Sequence, residues 1–176
     1  PTGEHLSWLA PSADGVLNVW VQPADESGEP RQITDDTVRG IRFHGWSQDG
    51  KRVFYMQDKG GDENWHLYSV DLASGEIIDL TPFEGTQAQM IAQSKGHPGV
   101  VIVGMNDRDP KWHDIYSVEL ATGERTLLAE NNGFASILVD NNLDVRLATQ
   151  STSDGGLQVL SMTGGEWQPM FKIDFE

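Results

Sequence analysis

The sequence predicts an all-β fold, a β-propeller fragment of about four blades. Each blade is a four-stranded antiparallel sheet, and the first is incomplete. Three observations carry this. Trp65 to Glu76 (WHLYSVDLASGE) returns as Trp112 to Glu124 (WHDIYSVELATGE), 47 residues on at the Trp and 48 at the Gly, with one extra residue at Asp114 or Ile115. A small residue followed by Gly-Glu recurs at Gly28, Gly75, Gly123 and Gly165, at spacings of 47, 48 and 42. Apolar residues alternate at period two on both sides of each such turn, and no window shows the three-and-four spacing of an amphipathic helix. All-strand repeats of roughly 40–50 residues match the blade length of a propeller.

The strands follow in order. His5–Ala10, Leu17–Gln22 and Arg31–Thr34 make a first blade that lacks its inner strand. Ile41–Trp46 opens the second, and Ser47-Gln48-Asp49-Gly50 turns the chain, Asp-Gly being a strong hairpin signal. Arg52–Gln57 follows, with Val53 to Met56 nearly continuous and therefore expected to be buried on both faces. Asp58–Asn64 is a polar loop before strands Trp65–Leu72 and Glu76–Thr81. The third blade repeats this plan: Gln87–Gln93, a turn at 96–99, Val100–Met105, a loop over Asn106–Lys111, then Trp112–Leu120 and Glu124–Ala129. In the fourth, the strands are Phe134–Val139, Val145–Gln150, Leu157–Met162 and Glu166–Phe171, and Ile173-Asp174-Phe175 reads as the start of a fifth repeat. At each Gly-Glu hairpin the glycine is expected to supply the positive φ of a tight turn. No linker divides the chain, so a single domain is expected, with blades near 1–36, 37–84, 85–131 and 132–176.

With 12 Lys and Arg against 27 Asp and Glu, the net charge is −15. That argues against a nucleic-acid partner, which needs clustered basic residues, and equally against an anionic membrane surface. There is no Cys and hence no disulfide or thiol chemistry. No apolar run approaches the roughly 18–20 residues of a membrane helix. The compartment is not legible.

The rim that gathers the second-to-third strand loops and the connections between blades is expected to be acidic. It collects Asp35, Asp36, Asp58, Asp62, Glu63, Glu84, Asp107, Asp109 and Asp154. The ordinary reading is that loops carry charge; the functional one is a ligand or partner site at strand ends. His66 and His113 follow the two repeated tryptophans and read as structural repetition, since a metal would need both within a few ångströms. Asp107-Arg108-Asp109 with Asp114 hints at calcium, but the glycine and terminal glutamate of an EF-hand loop are missing. Trp46, Trp65, Trp112 and Trp167 are expected to wedge between sheets, with Trp65 and Trp112 buried. Gly45 to Gly50 approaches a nucleophile elbow by eye, yet its spacing is wrong and Ser47 belongs to a turn. No catalytic, cofactor-binding or metal residue is assigned, and no cofactor is expected.

Trp46-Ser47-Gln48-Asp49-Gly50-Lys51-Arg52-Val53-Phe54-Tyr55 resembles the repeat of propellers in the TolB and prolyl oligopeptidase group. Gln57 to Leu72, with its Gly61-Asp62-Glu63-Asn64 and Leu67-Tyr68-Ser69-Val70-Asp71-Leu72, is similar to a stretch of the non-catalytic propeller of prolyl oligopeptidase family serine peptidases, notably the acylaminoacyl-peptidase-like branch. The similarity is strongest from Arg39 to Leu128. It implies a seven-bladed propeller joined to an α/β-hydrolase domain bearing Ser, Asp and His, with the propeller admitting short peptides. No catalytic residue carries over, because no hydrolase sequence lies in this chain. The dipeptidyl-peptidase branch holds the substrate N-terminus with a glutamate pair on a helical insertion; Asp62-Glu63 lies in a strand-connecting loop, and that role is not transferred. The partners implied are the hydrolase domain of the parent and its peptide substrates. The alternatives are a stand-alone TolB-like propeller that binds a protein and, more weakly, a lectin or metal-binding propeller. The incomplete first blade and the last blade are expected to leave an open arc whose chains self-associate through terminal blades, with Ile173-Asp174-Phe175 exchanged or folded back.

Overall fold

Period-two alternation builds strands here, and the turns between them build meanders. The computed structural model describes residues 2–175 and shows fifteen strands and no helix among them. The first sheet holds β1 (His5–Pro11), β2 (Leu17–Pro23) and β3 (Arg31–Gln32); the second, β4 (Phe43–Trp46), β5 (Arg52–Gln57), β6 (His66–Asp71) and β7 (Ile77–Asp79). In the third are β8 (Ala88–Ser94), β9 (His97–Asp109), β10 (Trp112–Glu119) and β11 (Arg125–Ala129), and in the fourth β12 (Ser136–Val139), β13 (Val145–Ser151), β14 (Leu157–Thr163) and β15 (Glu166–Ile173). Every sheet runs in chain order with antiparallel neighbours. By register, β1 corresponds to β5, so the first sheet does lack the inner strand that β4, β8 and β12 provide elsewhere.

Alternation then sorts each strand's side chains to opposite sides. Val53 and Tyr55 join Val19, Val21, Ile33 and Ile41 between the first and second sheets. Phe54, between them in sequence, joins Leu67, Val101, Val103 and Met105 between the second and third. Ile102 points the other way, to Ile115, Ile137 and Ala148 between the third and fourth. The run Val53–Phe54–Tyr55 is therefore buried on both faces, as its continuous apolarity predicts. Three cores serve four sheets. Among the described residues no buried cluster joins the first sheet to the fourth, so the sheets form an open arc.

A threonine ends the outer strand in two blades by the same device. The Thr34 hydroxyl accepts from Val19 N–H at 2.9 Å, and Thr81, at the equivalent place, accepts from Leu67 N–H at 2.9 Å. Each hydroxyl caps an amide that a longer outer strand would have satisfied.

The turns depart from expectation in places. Gly75 and Gly123 have φ of 77° and 73°, and each N–H bonds back to the carbonyl four residues earlier. Gly28 does not take up that role; the positive φ of the first hairpin falls on Glu26, at 58°. The Asn106–Lys111 stretch is not a loop. β9 runs to Asp109 and closes on Trp112 around Pro110 and Lys111 alone, because Asp109 accepts Lys111 N–H at 2.9 Å and tightens the turn. The turn expected at 96–99 is likewise shorter, with Ser94 already paired to His97. Ile173 does not open a new repeat. It is the last residue of β15, paired with Leu157, so the chain end folds back on its own sheet.

Candidate functional site

The connections 35–39 and 82–86 and the loop after β5 meet at one rim, as the strand order requires. They enclose a depression of about 720 Å³ lined by Asp36, Arg39, Asp58, Asp62, Asn64, His66, Tyr68, Asp79 and Glu84 among others. Four of the acids expected on this rim, Asp36, Asp58, Asp62 and Glu84, are therefore brought together. Asp107 and Asp109 lie on the third sheet and Asp154 on the fourth, outside the depression.

Most of these carboxylates are already engaged. Asp36 accepts Val38 N–H at 3.0 Å and Gly40 N–H at 2.5 Å, which folds the connection into β4. Buried Asp58 faces Arg39 at 3.6 Å and accepts Glu63 N–H at 3.4 Å. Asp62 accepts the amides of Lys59 and Asn64 at 3.2 and 3.1 Å. This loop turns sharply, with φ of 68°, 94° and 60° at Gly60, Gly61 and Glu63. A Cβ at Gly61 would meet only the movable end of the Arg39 side chain, so it is the positive φ that calls for glycine there.

The floor of the depression is a stack. His66 Nδ1 lies 2.8 Å from Asp79, its ring lies over Tyr68 at 6.3 Å, and Tyr68 stacks on Tyr55 at 5.0 Å. Burial pushes the Tyr68 hydroxyl up to about 12, aided by the negative charge of Asp79, so it stays protonated as a donor. Burial likewise raises Tyr55, with Tyr68 adding to it. The lining holds no serine, threonine or cysteine. Its carboxylate acceptors outnumber its cations, Arg39 and Lys59.

The second acidic group resolves into ion pairs. Arg125 meets Asp107 at 2.7 Å while lying over the rings of Phe83 (3.9 Å) and Tyr116 (4.9 Å). This cation–π sandwich fastens the second sheet's exit to the third sheet. Arg108 grips Asp114 with two bonds of 2.6 and 2.7 Å, and Asp114 also accepts Asn131 N–H at 2.7 Å. Burial pushes the Asp114 carboxyl up, but the bonds from Arg108 and Asn131 outweigh it and hold the group below its usual range. Asp107 and Asp114 are thus each committed to an arginine, and no cluster of metal-ligating residues occurs among the described residues.

Two further expectations change. Counting from Tyr68 and Tyr116, which pair with Asp79 and Leu127 in one register, His66 coincides with Asp114 rather than with His113. The β9–β10 register shifts between Trp112 and Asp114, so the irregularity falls at His113, and the two histidines are not equivalent. Trp65 and Trp112 are only half-buried. Trp65 C=O accepts Ala88 N–H at 2.7 Å and its residue lines a cleft with Phe43, while Trp112 lines another with Ile91 and Ile137. Trp46 and Trp167 pack as wedges against the first and third cores. Ser47 is spent in its turn, bonded to Asp49 at 2.6 Å and to the backbone of Arg52.

Arg39, Tyr68 and the His66–Asp79 pair were not singled out from sequence. The last was accessible: once Gly75 closes the hairpin, Tyr68 faces Asp79, and His66 lies on the diagonal.

Dipeptidyl aminopeptidase BIII of Pseudoxanthomonas mexicana is 48% identical over 178 residues, covering 100% of this chain and 26% of that protein. The chain is similar in sequence to a part of that peptidase and has the fold of a β-propeller segment. A dipeptidyl peptidase family member 6 of Caenorhabditis elegans is 28% identical over 88% of this propeller segment and 22% of its own length. The segment thus spans about a quarter of the curated relatives it matches. Among solved structures, oligopeptidase B of Leishmania major superposes with a TM-score of 0.62 at 11% identity, covering 96% of the segment and 26% of that chain. A TolB of Agrobacterium tumefaciens does so with a TM-score of 0.59 at 20% identity, covering 99% and 63%. These two share the fold. No family model matches the sequence.

Proposed function

We propose that this propeller segment is the non-catalytic, substrate-admitting part of a serine peptidase, packed on an α/β-hydrolase domain that supplies the nucleophile. The observation that carries it is the 48% identity with a dipeptidyl aminopeptidase along the whole chain. The site chemistry supports it. The rim depression offers acceptors, an arginine and stacked aromatic rings to a passing peptide, and its lining contains no serine, threonine or cysteine. In the intact peptidase such a rim would screen peptides by size and charge before they reach the hydrolase.

The test is hydrolysis of dipeptidyl p-nitroanilides by the purified 176-residue chain and by the product of its complete reading frame. The chain alone is expected to be inert and the complete product active, with Arg39→Ala in the latter changing KM for longer peptides more than for dipeptidyl substrates. Turnover by the chain itself that one point substitution within it abolishes, or a complete product without a hydrolase nucleophile, would overturn the reading.

A further inference from the structure

We propose that the cleft between the second and third sheets, beside Trp65, binds the C-terminal residue of a peptide, taking a large apolar side chain against its walls and the α-carboxylate against Arg42. The cleft measures about 400 Å³, room for one or two residues. Its walls follow from the strand pattern. Phe43 on β4 pairs with Met56 on β5, so both side chains lie on one side of the second sheet, and Met56 packs there against the core shared with the third. Leu67 belongs to that same core, and Trp65, two residues before it, joins Phe43 and Met56 in lining the cleft. Across the seam stands Ala88, the first residue of β8, whose methyl group is too short to fill the space.

The walls are tied in place. Ala88 N–H donates to Trp65 C=O at 2.7 Å. Gln87 N–H donates to Asn106 Oδ1 at 2.6 Å, and its side-chain amide donates to Glu63 C=O at 3.1 Å. The cleft is thus preformed, which lowers the ordering cost of binding. It lies between two four-stranded sheets that share a buried core, so it does not depend on the ends of the chain.

The occupant follows from charge. Arg39, Arg52, Arg108, Arg125 and Arg146 each meet an aspartate, and Arg31 donates to Leu72 C=O. Arg42 is the one arginine that makes neither an ion pair nor a hydrogen bond among the described residues, and it is exposed beside the cleft. No acid lines the cleft, whereas Asp36, Asp58, Asp62 and Glu84 line the depression on the other side of the same sheet. In a chain of net charge −15, which repels anions elsewhere, a carboxylate is met here by an uncommitted guanidinium. A guanidinium suits a carboxylate because its N–H fork matches the two oxygens. The C-terminal residue of a peptide carries that carboxylate and its side chain on one carbon, and an aromatic ring suits the Phe43 and Trp65 walls. The inference rests on the reading of this segment as a wall past which peptides are admitted.

The test is an NMR titration of the full chain with acetyl-Ala-Ala-Phe, its C-terminal amide and acetyl-Ala-Ala-Ala, read at the Trp65 indole N–H and the Ala88 amide. The free acid of the Phe peptide should shift both signals and bind about fivefold tighter than its amide, the reach of an exposed ion pair. It should bind about tenfold tighter than the alanine peptide, which has no ring to bury. Arg42→Gln should abolish the preference for acid over amide and keep that for Phe over Ala, and Phe43→Ala should do the reverse. No hydrolysis is read, so failure here leaves the peptidase reading to its own turnover test. Equal affinity for acid and amide, an acid preference that survives in Arg42→Gln, shifts centred on Trp112 instead of Trp65, or no shift at about 10 mM peptide would overturn the inference.

Discussion

Individual residues carry more of this fold's tolerance than the repeat suggests. Gly45 sits in β4 directly against the ring of Phe54, and a Cβ there would overlap the ring edge. Gly45→Ala should therefore cost about 1–3 kcal/mol as an overpacked core, measured by urea unfolding. Phe54→Leu in the same background should return part of the loss. Asp114→Asn breaks a bidentate pair whose acid is 1% exposed and whose arginine is 37% exposed. The cost should be about 2–3 kcal/mol, below the roughly 3–5 of a fully buried pair because solvent screens Arg108. The folded carboxyl is held below its unfolded value. Its stabilisation is thus present above the usual carboxylate range and lost as pH falls through the lowered folded value. Acid unfolding of the wild type and of Asp114→Asn should converge at low pH. Residue roles were the least legible part of the sequence. Asp36 and Asp58 read as rim charge, yet both are buried and bonded, Asp58 through Arg39 of another connection, a contact no local window shows.

The order of the strands was legible, because alternation and the Gly-Glu turns act locally, while several strand ends shifted by two to four residues. β5, β10 and β14 begin where the pattern says. What misled was shared composition. Asn106–Lys111 has loop-like residues but is drawn into a long hairpin by its pairing with β10, a contact between residues that a local window does not weigh. Gly28 looks like Gly75 but lies in a hairpin whose strain falls on Glu26. The two glycines should therefore respond differently. Gly75→Ala forces a side chain into the left-handed region and should cost about 1–2 kcal/mol, whereas Gly28→Ala should cost less, the nearest obstacle being the Pro23 ring. Thermal unfolding of the two variants side by side reads this difference.

At the scale of the whole molecule, four sheets are joined by three cores, and the repeat period predicted the propeller blades before any contact was known. The rim depression belongs to this scale too. It is assembled from three separate connections, and sequence could place them on one rim without showing that Arg39, Asp58 and the His66–Tyr68 stack would converge. The absence of native Cys makes the arc directly measurable. Spin labels on introduced cysteines at Asp14, Lys59, Lys111 and Ser153 would mark the equivalent loop of each successive sheet at exposed sites on one rim. Electron–electron resonance distances on the monomeric chain should increase in the order 14–59, 14–111, 14–153, as an open stretch of a larger ring requires. A 14–153 distance as short as 14–59 would mean that the first and fourth sheets are neighbours in a closed four-bladed ring, and would contradict the reading of this chain as a propeller segment.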